Sequence, residues 1–245
     1  IASHTLKLFG IGESAMEAQL RDQMNAMSNP TLAPYAKEGE CELRVTAKAP
    51  TDAEAQALLK PTVEQVKALF GSKVYGVDVS SLEEVVEGLL REKGMTIGVA
   101  ESCTGGLMAK RLTDVAGASQ VFLGGIVSYT NQVKAGMLHV PQHLLDQFGA
   151  VSPEVALAMA EGARKALGCD IALATTGVAG PDKDDWDNEV GTMFVAIATP
   201  DGTHVRPLKL GSRPVRARLR TQTAHHAFDL ARRYLTGLPY EDGAV

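Results

Sequence analysis

Aromatic side chains and cysteines are scarce in this sequence of 245 residues. Phe, Trp and Tyr make up 5% of the chain, and there are three cysteines: Cys41, Cys103 and Cys169. An odd number of widely separated cysteines argues against a disulfide framework and fits a reducing compartment. No apolar run is long enough to span a bilayer, and Ile1 to His4 lack the basic and apolar regions of a signal peptide. We therefore expect a cytoplasmic protein that has no membrane partner.

The chain does contain enough apolar residues for a large core. Hydrophobic residues make up 45% of it, so it can bury one large core or two modest ones. The net charge of −5 is unevenly distributed, because the segment from Arg206 to Arg233 holds eight Lys and Arg against one Asp. Such a segment in an acidic protein suits a small anionic ligand better than nucleic acid. A solvated helix face explains the charge equally well.

The first part of the sequence predicts a small α+β domain. The pattern is β-α-β-α followed by a short strand, with elements at Thr5–Gly10, Ser14–Ser28, Cys41–Ala47, Thr51–Phe70 and Val74–Val77. A polar joint follows, in which Ser80 or Ser81 can cap the next helix. We place the domain boundary near Ser80, with residues 1–80 in the small domain and residues 81–245 in the larger one.

The second part predicts an α/β domain in three layers, with helices covering both faces of a sheet. The predicted strands are Thr96–Ala100, Leu123–Ser128, Ile171–Thr176, Gly191–Ala198 and Val205–Leu210. The connection between the last two is too short for a crossover helix, so these strands should pair antiparallel. The sheet is therefore expected to be mixed.

The segment Glu101 to Gly106 combines a nucleophile with a turn that can bind an anion. It stands where a strand ends and a helix begins, and it places Ser102 ahead of Thr104, Gly105 and Gly106. Glycines let backbone N–H groups approach a ligand closely, and a helix N-terminus favours negative charge. A capped helix with a flexible turn is the simpler interpretation of the segment taken alone.

A second strand end carries Tyr129, Asn131 and Lys134. Asn131 can cap the following helix, and Lys134 stands in its first turn, where a cation opposes the helix dipole. Burial and the dipole both lower the pKa of an amine, as a lysine base requires. A solvated lysine and a packed tyrosine are the ordinary alternatives.

A third strand end opens into the glycine-rich segment Thr175 to Asp182. The hydroxyl of Thr176 and the amides between Gly177 and Gly180 could bind phosphate or ribose, although the segment lacks P-loop spacing. The acidic segment that follows, Lys183 to Glu189, is interpreted as a surface loop rather than a lid. The histidine and aspartate spacings do not match known metal sites, so we expect no metal.

Four ordered motifs resemble the CinA C-terminal family, which includes the nicotinamide mononucleotide deamidases, also called PncC. The motifs are Glu101–Gly106, Gly124–Asn131 with Lys134, Gly149–Ser152 and Gly177–Asp182, and the likeness covers roughly Leu82 to Leu235. Ahead of them, Leu8–Ser14 and Leu43–Lys48 resemble the small KH-like middle domain of long CinA proteins. That first domain lacks a Gly-x-x-Gly loop, so no nucleic acid is expected as a partner.

The resemblance implies a three-layer α/β/α mixed sheet of the CinA C-terminal type, preceded by a small α+β KH-like domain. It also implies hydrolysis of nicotinamide mononucleotide to nicotinic acid mononucleotide and ammonia in pyridine nucleotide salvage, with no cofactor. Ser102 matches the family's nucleophile and Lys134 its base, and Tyr129 would orient that base. Amides around Thr104, Gly105 and Gly106 would bind the oxyanion, while Asn131, Thr176, Gly177 and Gly180 would face the substrate.

Two questions stay open on the sequence alone. The family's Gly-Asp-Arg stretch is replaced here by Gly211 to Arg216, which leaves Arg213 and Arg216 as rivals for the substrate phosphate. The competing function is a non-catalytic interaction protein linked to competence or DNA damage, with Arg213 to Arg220 as a docking face. Cys103 is interpreted as a buried thiol rather than a nucleophile. Family members and an exposed sheet edge lead us to expect a homo-oligomer.

Overall fold

The structure is a computed structural model, and it describes residues 1–211 and 215–241. The described residues divide into two compact units, residues 1–85 and residues 86–241. The division falls a few residues after Ser80, the boundary expected from the sequence, because the first turn of a helix that begins at Leu82 groups with the first unit.

The first unit consists of a four-stranded antiparallel sheet and two helices. Its elements are β1 (Ala2–Leu8), α1 (Glu13–Ala26), β2 (Thr31–Lys37), β3 (Glu40–Ala47), α2 (Asp52–Phe70) and β4 (Val74–Val77). The strand order is β2-β3-β1-β4. Thr51 and Glu54 start α2 with a reciprocal capping box. From there α2 buries Leu59, Val66 and Phe70 in the core beside the sheet.

Strand β2 is missing from the expected β-α-β-α-β order, so that part of the prediction is wrong. Only one buried residue, Leu32, interrupts its otherwise exposed or half-exposed pattern. Pro34 removes one backbone N–H from the strand, which an edge position tolerates. Because β2 pairs with β3 alone among the described strands, it needs neither a buried face nor a complete set of donors.

The second unit is a mixed five-stranded sheet with helices on its faces. Its strands are β5 (Ile97–Glu101), β6 (Phe122–Val127), β7 (Ile171–Gly177), β8 (Thr192–Thr199) and β9 (Gly202–Lys209), in the order β6-β5-β7-β8-β9. Its helices are α3 (Leu82–Lys93), α4 (Leu107–Thr113), α5 (Asn131–Leu138), α6 (Gln142–Phe148), α7 (Pro153–Leu167) and α8 (Arg216–Thr236).

The pairing of the strands confirms the mixed sheet. β5, β6 and β7 run parallel, whereas β8 and β9 are antiparallel. The carboxyl ends of β5, β6 and β7 therefore meet at one edge, which is where ligand sites collect in α/β sheets.

Small side chains let α7 approach the sheet closely. The residues beneath it include Ala100, Ala172, Ala174 and Ala196, all fully buried. On the helix, Met159 and Ala160 fill the space above these alanines. α4 and α8 pack against the sheet and against each other, while α5 and α6 pack on α7. In the residues that the structure describes, no helix combines the length and apolar content needed to cross a membrane.

Candidate functional site

Ser102 directly follows the last residue of β5, the strand that lies between β6 and β7 in the sheet. Its backbone N–H donates to the carbonyl of Thr175 on β7 at 2.9 Å, which extends the parallel pairing by one residue. Its side chain is buried. The hydroxyl is therefore held at the carboxyl edge of the sheet rather than in solvent.

Lys134 is the fourth residue of α5, the helix that follows β6. Its Nζ lies 3.0 Å from Ser102 Oγ and donates to the carbonyl of Ser128 at 2.8 Å. The side chain is only 1% exposed, and burial lowers the pKa of the amine from 10.5 to about 8. An amine with a lowered pKa, in contact with a hydroxyl, is the arrangement of a base that activates a serine nucleophile.

A cavity of about 190 Å³ opens onto this pair. Strand ends, loops and the helices α5 and α8 provide its lining: Ser102, Cys103, Tyr129, Lys134, Ala150, Val151, Thr176, Gly177, Ala179 and Arg216. Tyr129 is 57% exposed, and its hydroxyl accepts a 2.8 Å hydrogen bond from Arg216 Nη2. Arg216 Nη1 also donates to the carbonyl of Gly180 at 2.6 Å. Arg216 thus connects the loops after β6 and β7 beside the cavity.

The third strand end contributes Thr176 and Gly177 to the lining of the cavity. Thr176 is buried, and its Oγ1 donates to the carbonyl of Ala150 at 2.7 Å. A Cβ on Gly177 would fall on the side chain of Met193, so no larger residue fits there without a shift. The carbonyl of Gly180 accepts a hydrogen bond from Arg216, which lines the cavity, so Gly180 lies beside the cavity.

Asn131 does not play the part expected of it. The residue that caps α5 is Thr130, whose side chain accepts from the N–H of Val133 at 3.3 Å. Asn131 is the first residue of the helix, is exposed and does not line the cavity. The capping role fell to Thr130 because the N-cap residue must have extended backbone geometry, which Thr130 adopts.

The turn after Ser102 uses two of the three amides proposed for the oxyanion. The N–H of Gly105 donates to the carbonyl of Ser102 at 3.1 Å, and that of Gly106 donates to the carboxylate of Glu101 at 2.9 Å. Neither is available to a substrate in this conformation, which corrects that expectation for both glycines. Glu101 also accepts from Met108 and Ala109 and so caps α4 with three hydrogen bonds.

Sequence reasoning missed two residues that hold this turn. Glu101 is fully buried at the end of β5, and its signal was an acidic side chain just ahead of a helix start. Arg220, on α8, donates to the carbonyls of Cys103 and Thr104 at 3.2 and 2.5 Å. Nothing in the local sequence indicated that Arg220 reaches a turn more than 100 residues earlier. The rival phosphate ligand Arg213 lies outside the described residues.

Cys103 lines the cavity but stays a thiol. Burial raises its pKa to about 12, so the nucleophilic thiolate is scarcely populated at neutral pH. The side chain is 5% exposed. Cys103 therefore fits the role of a small buried side chain better than that of a nucleophile.

Part of the basic segment forms a buried ion cluster. Asp229 on α8 pairs with Arg206, Arg232 and Arg233 at 2.6 to 3.1 Å, and all four side chains are buried. These arginines neither coat a solvated helix face nor reach the cavity lining. These three arginines pair with Asp229 inside the second unit. The arginines near Ser102 are instead Arg216 and Arg220.

The acidic segment after Pro181 folds on itself. Lys183 pairs with Asp187 and Glu189, and Asp184 accepts from the backbone of Trp186 and Asn188. This bonding suits the surface-loop interpretation. Among the described residues, no group of three or more His, Cys, Asp or Glu could hold a metal ion.

The fold and the site define an α/β protein with a buried Ser–Lys pair at the carboxyl ends of parallel strands. The chain belongs to the CinA family: residues 79–235 match the CinA C-terminal domain, and residues 3–76 match the damage-inducible protein CinA KH domain.

Relatives and solved structures agree with this membership. A CinA-like protein from Dictyoglomus turgidum is 43% identical over 238 residues, and one from Desulfovibrio desulfuricans is 44% identical over 244. These alignments cover 97% and 99% of this chain but 57% of each relative. The crystal structure of competence/damage inducible protein CihA from Agrobacterium tumefaciens matches 64% of this chain and 97% of its own, with 34% identity and a TM-score of 0.59. A CinA superfamily protein from Klebsiella pneumoniae covers the same 64%, with 99% of its own chain, 25% identity and a TM-score of 0.61.

Proposed function

We propose that this protein is a nicotinamide mononucleotide deamidase, which hydrolyses the substrate's carboxamide to a carboxylate and ammonia. The observation that carries the proposal is the contact between Lys134 Nζ and Ser102 Oγ, which lie 3.0 Å apart with both side chains buried. The lowered pKa of Lys134 supports it, because a base must be neutral to accept a proton. Membership of the CinA family and the resemblance of the motifs to its deamidases supply the substrate class.

The reaction follows from the positions of these two residues. Neutral Lys134 takes the hydroxyl proton of Ser102, and Oγ bonds to the carboxamide carbon to give a tetrahedral intermediate. The ammonium of Lys134 then returns a proton to the departing nitrogen, which leaves as ammonia when its bond to carbon breaks. The resulting ester is attacked by a water that gives its proton to Lys134. Release of the acid returns that proton to Ser102.

The size of the cavity suits the reacting end of such a substrate. At about 190 Å³ it is smaller than the usual pocket for a whole drug-sized ligand, so the nucleotide would enter with its nicotinamide first. Arg216 then lies where the ribose phosphate would emerge, and a guanidinium binds phosphate through paired N–H groups. When the substrate binds, the hydrogen bonds of Arg216 to Tyr129 and Gly180 would either be replaced by hydrogen bonds to the phosphate or would orient the guanidinium towards it.

Ammonia release from nicotinamide mononucleotide tests the proposal. The wild-type protein is assayed with a chelator present, beside Ser102→Ala, Lys134→Met and Cys103→Ser. We expect metal-independent release that the first two substitutions abolish and the third preserves, because the Cys103 thiol takes no part in the reaction. A folded wild-type protein that releases no ammonia between pH 7 and 9.5 at high enzyme concentration would refute the deamidase assignment.

We also propose that the active form is a homo-oligomer. Strand β6 pairs only with β5 among the described strands, and Leu123 and Val127 along it are nearly half exposed. An edge with exposed apolar residues is suited to pairing or packing with a second copy. Analytical ultracentrifugation tests this, and a monomer at assay concentrations would refute it.

A further inference from the structure

The indole ring of Trp186 packs against part of the cavity wall. Trp186 is the single tryptophan of the chain, is 50% exposed and belongs to the acidic segment (residues 183–189). Its contact is with the wall segment (residues 149–151), in which Ala150 and Val151 line the cavity. We propose that Trp186 is a positioning residue, which holds Ala150 and Val151 as the surface on which the substrate's aromatic ring lies. This inference rests on the proposed hydrolysis of nicotinamide mononucleotide.

The contact between Trp186 and the wall segment depends on a glycine. A Cβ built on Gly149 would lie 2.7 Å from three atoms of the indole, Cγ, Cδ1 and Nε1. Side chains do not approach each other that closely, so the indole occupies the space that a side chain at position 149 would take. Gly149 is buried while Trp186 is half exposed. The indole therefore covers Gly149 from the solvent side.

Side chains also hold the carbonyls of the wall segment, which lies between α6 and α7 and belongs to neither helix. The first two carbonyls accept from Ser152, the N-cap of α7, and from Thr176 of β7. The third, on Val151, accepts from Asn188 Nδ2 at 3.3 Å. Asn188 belongs to the acidic segment, as Trp186 does. The acidic segment therefore contacts the wall segment at its first and its last residue.

The acidic segment is braced by its own hydrogen bonds. The carboxylate of Asp184 accepts from the backbone N–H of Trp186 at 3.1 Å and from that of Asn188 at 2.8 Å. It also accepts from Asn188 Nδ2 at 2.9 Å. The ion pairs of Lys183 connect the start of the segment to its end. These bonds fix both of the side chains that contact the wall segment.

The wall segment contributes apolar surface beside the reacting groups. Ala150 and Val151 line the same cavity as the apolar residues Cys103 and Ala179. When the carboxamide carbon of the substrate lies at Ser102 Oγ, the planar ring bonded to that carbon must lie in this cavity too. Burial of the ring face against apolar side chains is favourable. The position of the wall segment therefore affects how well the ring binds, without any contact with the bond that breaks.

A support for ring binding has a kinetic signature of its own. An interaction that is equally strong in the ground state and the transition state affects KM and leaves kcat unchanged. Loss of Trp186 should therefore raise KM for nicotinamide mononucleotide about tenfold, while kcat stays within about threefold of the wild-type value. A residue that only stabilised the fold would lower the Tm and leave both constants unchanged.

The experiment compares ammonia release by Trp186→Ala, Trp186→Phe and Asp185→Ala with that by the wild-type protein. Asp185 is a matched control because it is an exposed neighbour of Trp186 in the acidic segment. We expect the raised KM in Trp186→Ala alone. Trp186→Phe should recover most of the loss, since its ring can still cover Gly149, and Asp185→Ala should match the wild type.

A second measurement uses Trp186 as the only tryptophan of the chain. Ser102→Ala lacks the nucleophile, so nicotinamide mononucleotide can be titrated into it without turnover. We expect the tryptophan emission to change on saturation, because the indole packs on the wall segment that the substrate contacts. Asp185→Ala combined with Ser102→Ala should give the same Kd.

An unchanged KM in a folded Trp186→Ala, a loss confined to kcat, or an emission that does not respond to saturating substrate would overturn the inference. If Trp186→Ala does not fold, the KM of Asn188→Ala decides, because that variant removes the other contact with the wall segment and must raise KM as well.

A wild-type protein that releases no ammonia would instead reject the deamidase. In that case the inference is judged by phenylmethanesulfonyl fluoride, an aromatic reagent in which Ser102 Oγ bonds to sulfur and displaces fluoride. Its ring must enter the same cavity, so Trp186→Ala must slow the reaction and Asp185→Ala must not. A wild-type protein that neither releases ammonia nor reacts with this reagent would reject both the deamidase and the inference.

Discussion

In the proposed mechanism the base is the neutral amine of Lys134, so raising the pH through 8 should switch the reaction on. Burial lowers the pKa of that amine from 10.5 to about 8. At pH 7 a group with a pKa of 8 is about 9% neutral, whereas one with a pKa of 10.5 is about 0.03% neutral. Burial therefore increases the neutral fraction of the amine roughly 300-fold at neutral pH.

The assay is the pH dependence of kcat/KM for ammonia release between pH 6 and 9.5. We expect a tenfold rise per pH unit well below 8 and a plateau above it, because only deprotonation of Lys134 limits the free enzyme. Cys103→Ser should keep the same midpoint, since burial raises the pKa of that thiol to about 12. A midpoint near 10, or activity that falls as the pH rises, would show that a buried lysine base is not the group that titrates.

Three substitutions test the supports of the site. Glu101→Gln should destabilise the protein by about 2 kcal/mol or more in urea unfolding, because a carboxylate that accepts three N–H groups is replaced by an amide. Asp229→Asn should cost about 3 to 5 kcal/mol, since it removes the buried carboxylate that three buried arginines share. Exposed Asp185→Asn is the control, and equal midpoints would contradict the reasoning. For Gly177→Ala we expect a lower Tm by calorimetry, because its Cβ would meet Met193 and lie 2.9 Å from the carbonyl of Thr192.

The lowered pKa of Asp229 also predicts the direction in which the free energy of unfolding changes in acid. Burial raises its pKa, but the charges of the surrounding arginines outweigh burial and hold the pKa below 3.8. A carboxyl with a lowered pKa contributes stability above its unfolded pKa and loses it as the pH falls through the folded value. The stability difference between wild type and Asp229→Asn should therefore narrow only in acid.

Local patterns were sufficient for most of the second unit. The strands before Ser102 and Tyr129 end at glycine-rich or polar turns, and the short Thr199–Thr203 connection required an antiparallel pair. Strand β2 could not be predicted in the same way, because an edge strand with one buried residue shows almost no alternation of apolar and polar residues.

The sequence by itself determined which side chains stand at the carboxyl ends of the strands, because a strand-to-helix junction is a local feature of turn residues and apolar periodicity. Only the tertiary structure decided their distances and environment. The parallel pairing of β5 with β6 brings Lys134 to 3.0 Å from Ser102, and burial sets the pKa of its amine. Packing of α8 beside α4 brings Arg220 to the turn, while the turn's own hydrogen bonds occupy Gly105 and Gly106. Such long-range contacts depend on how elements pack, and no local pattern encodes them.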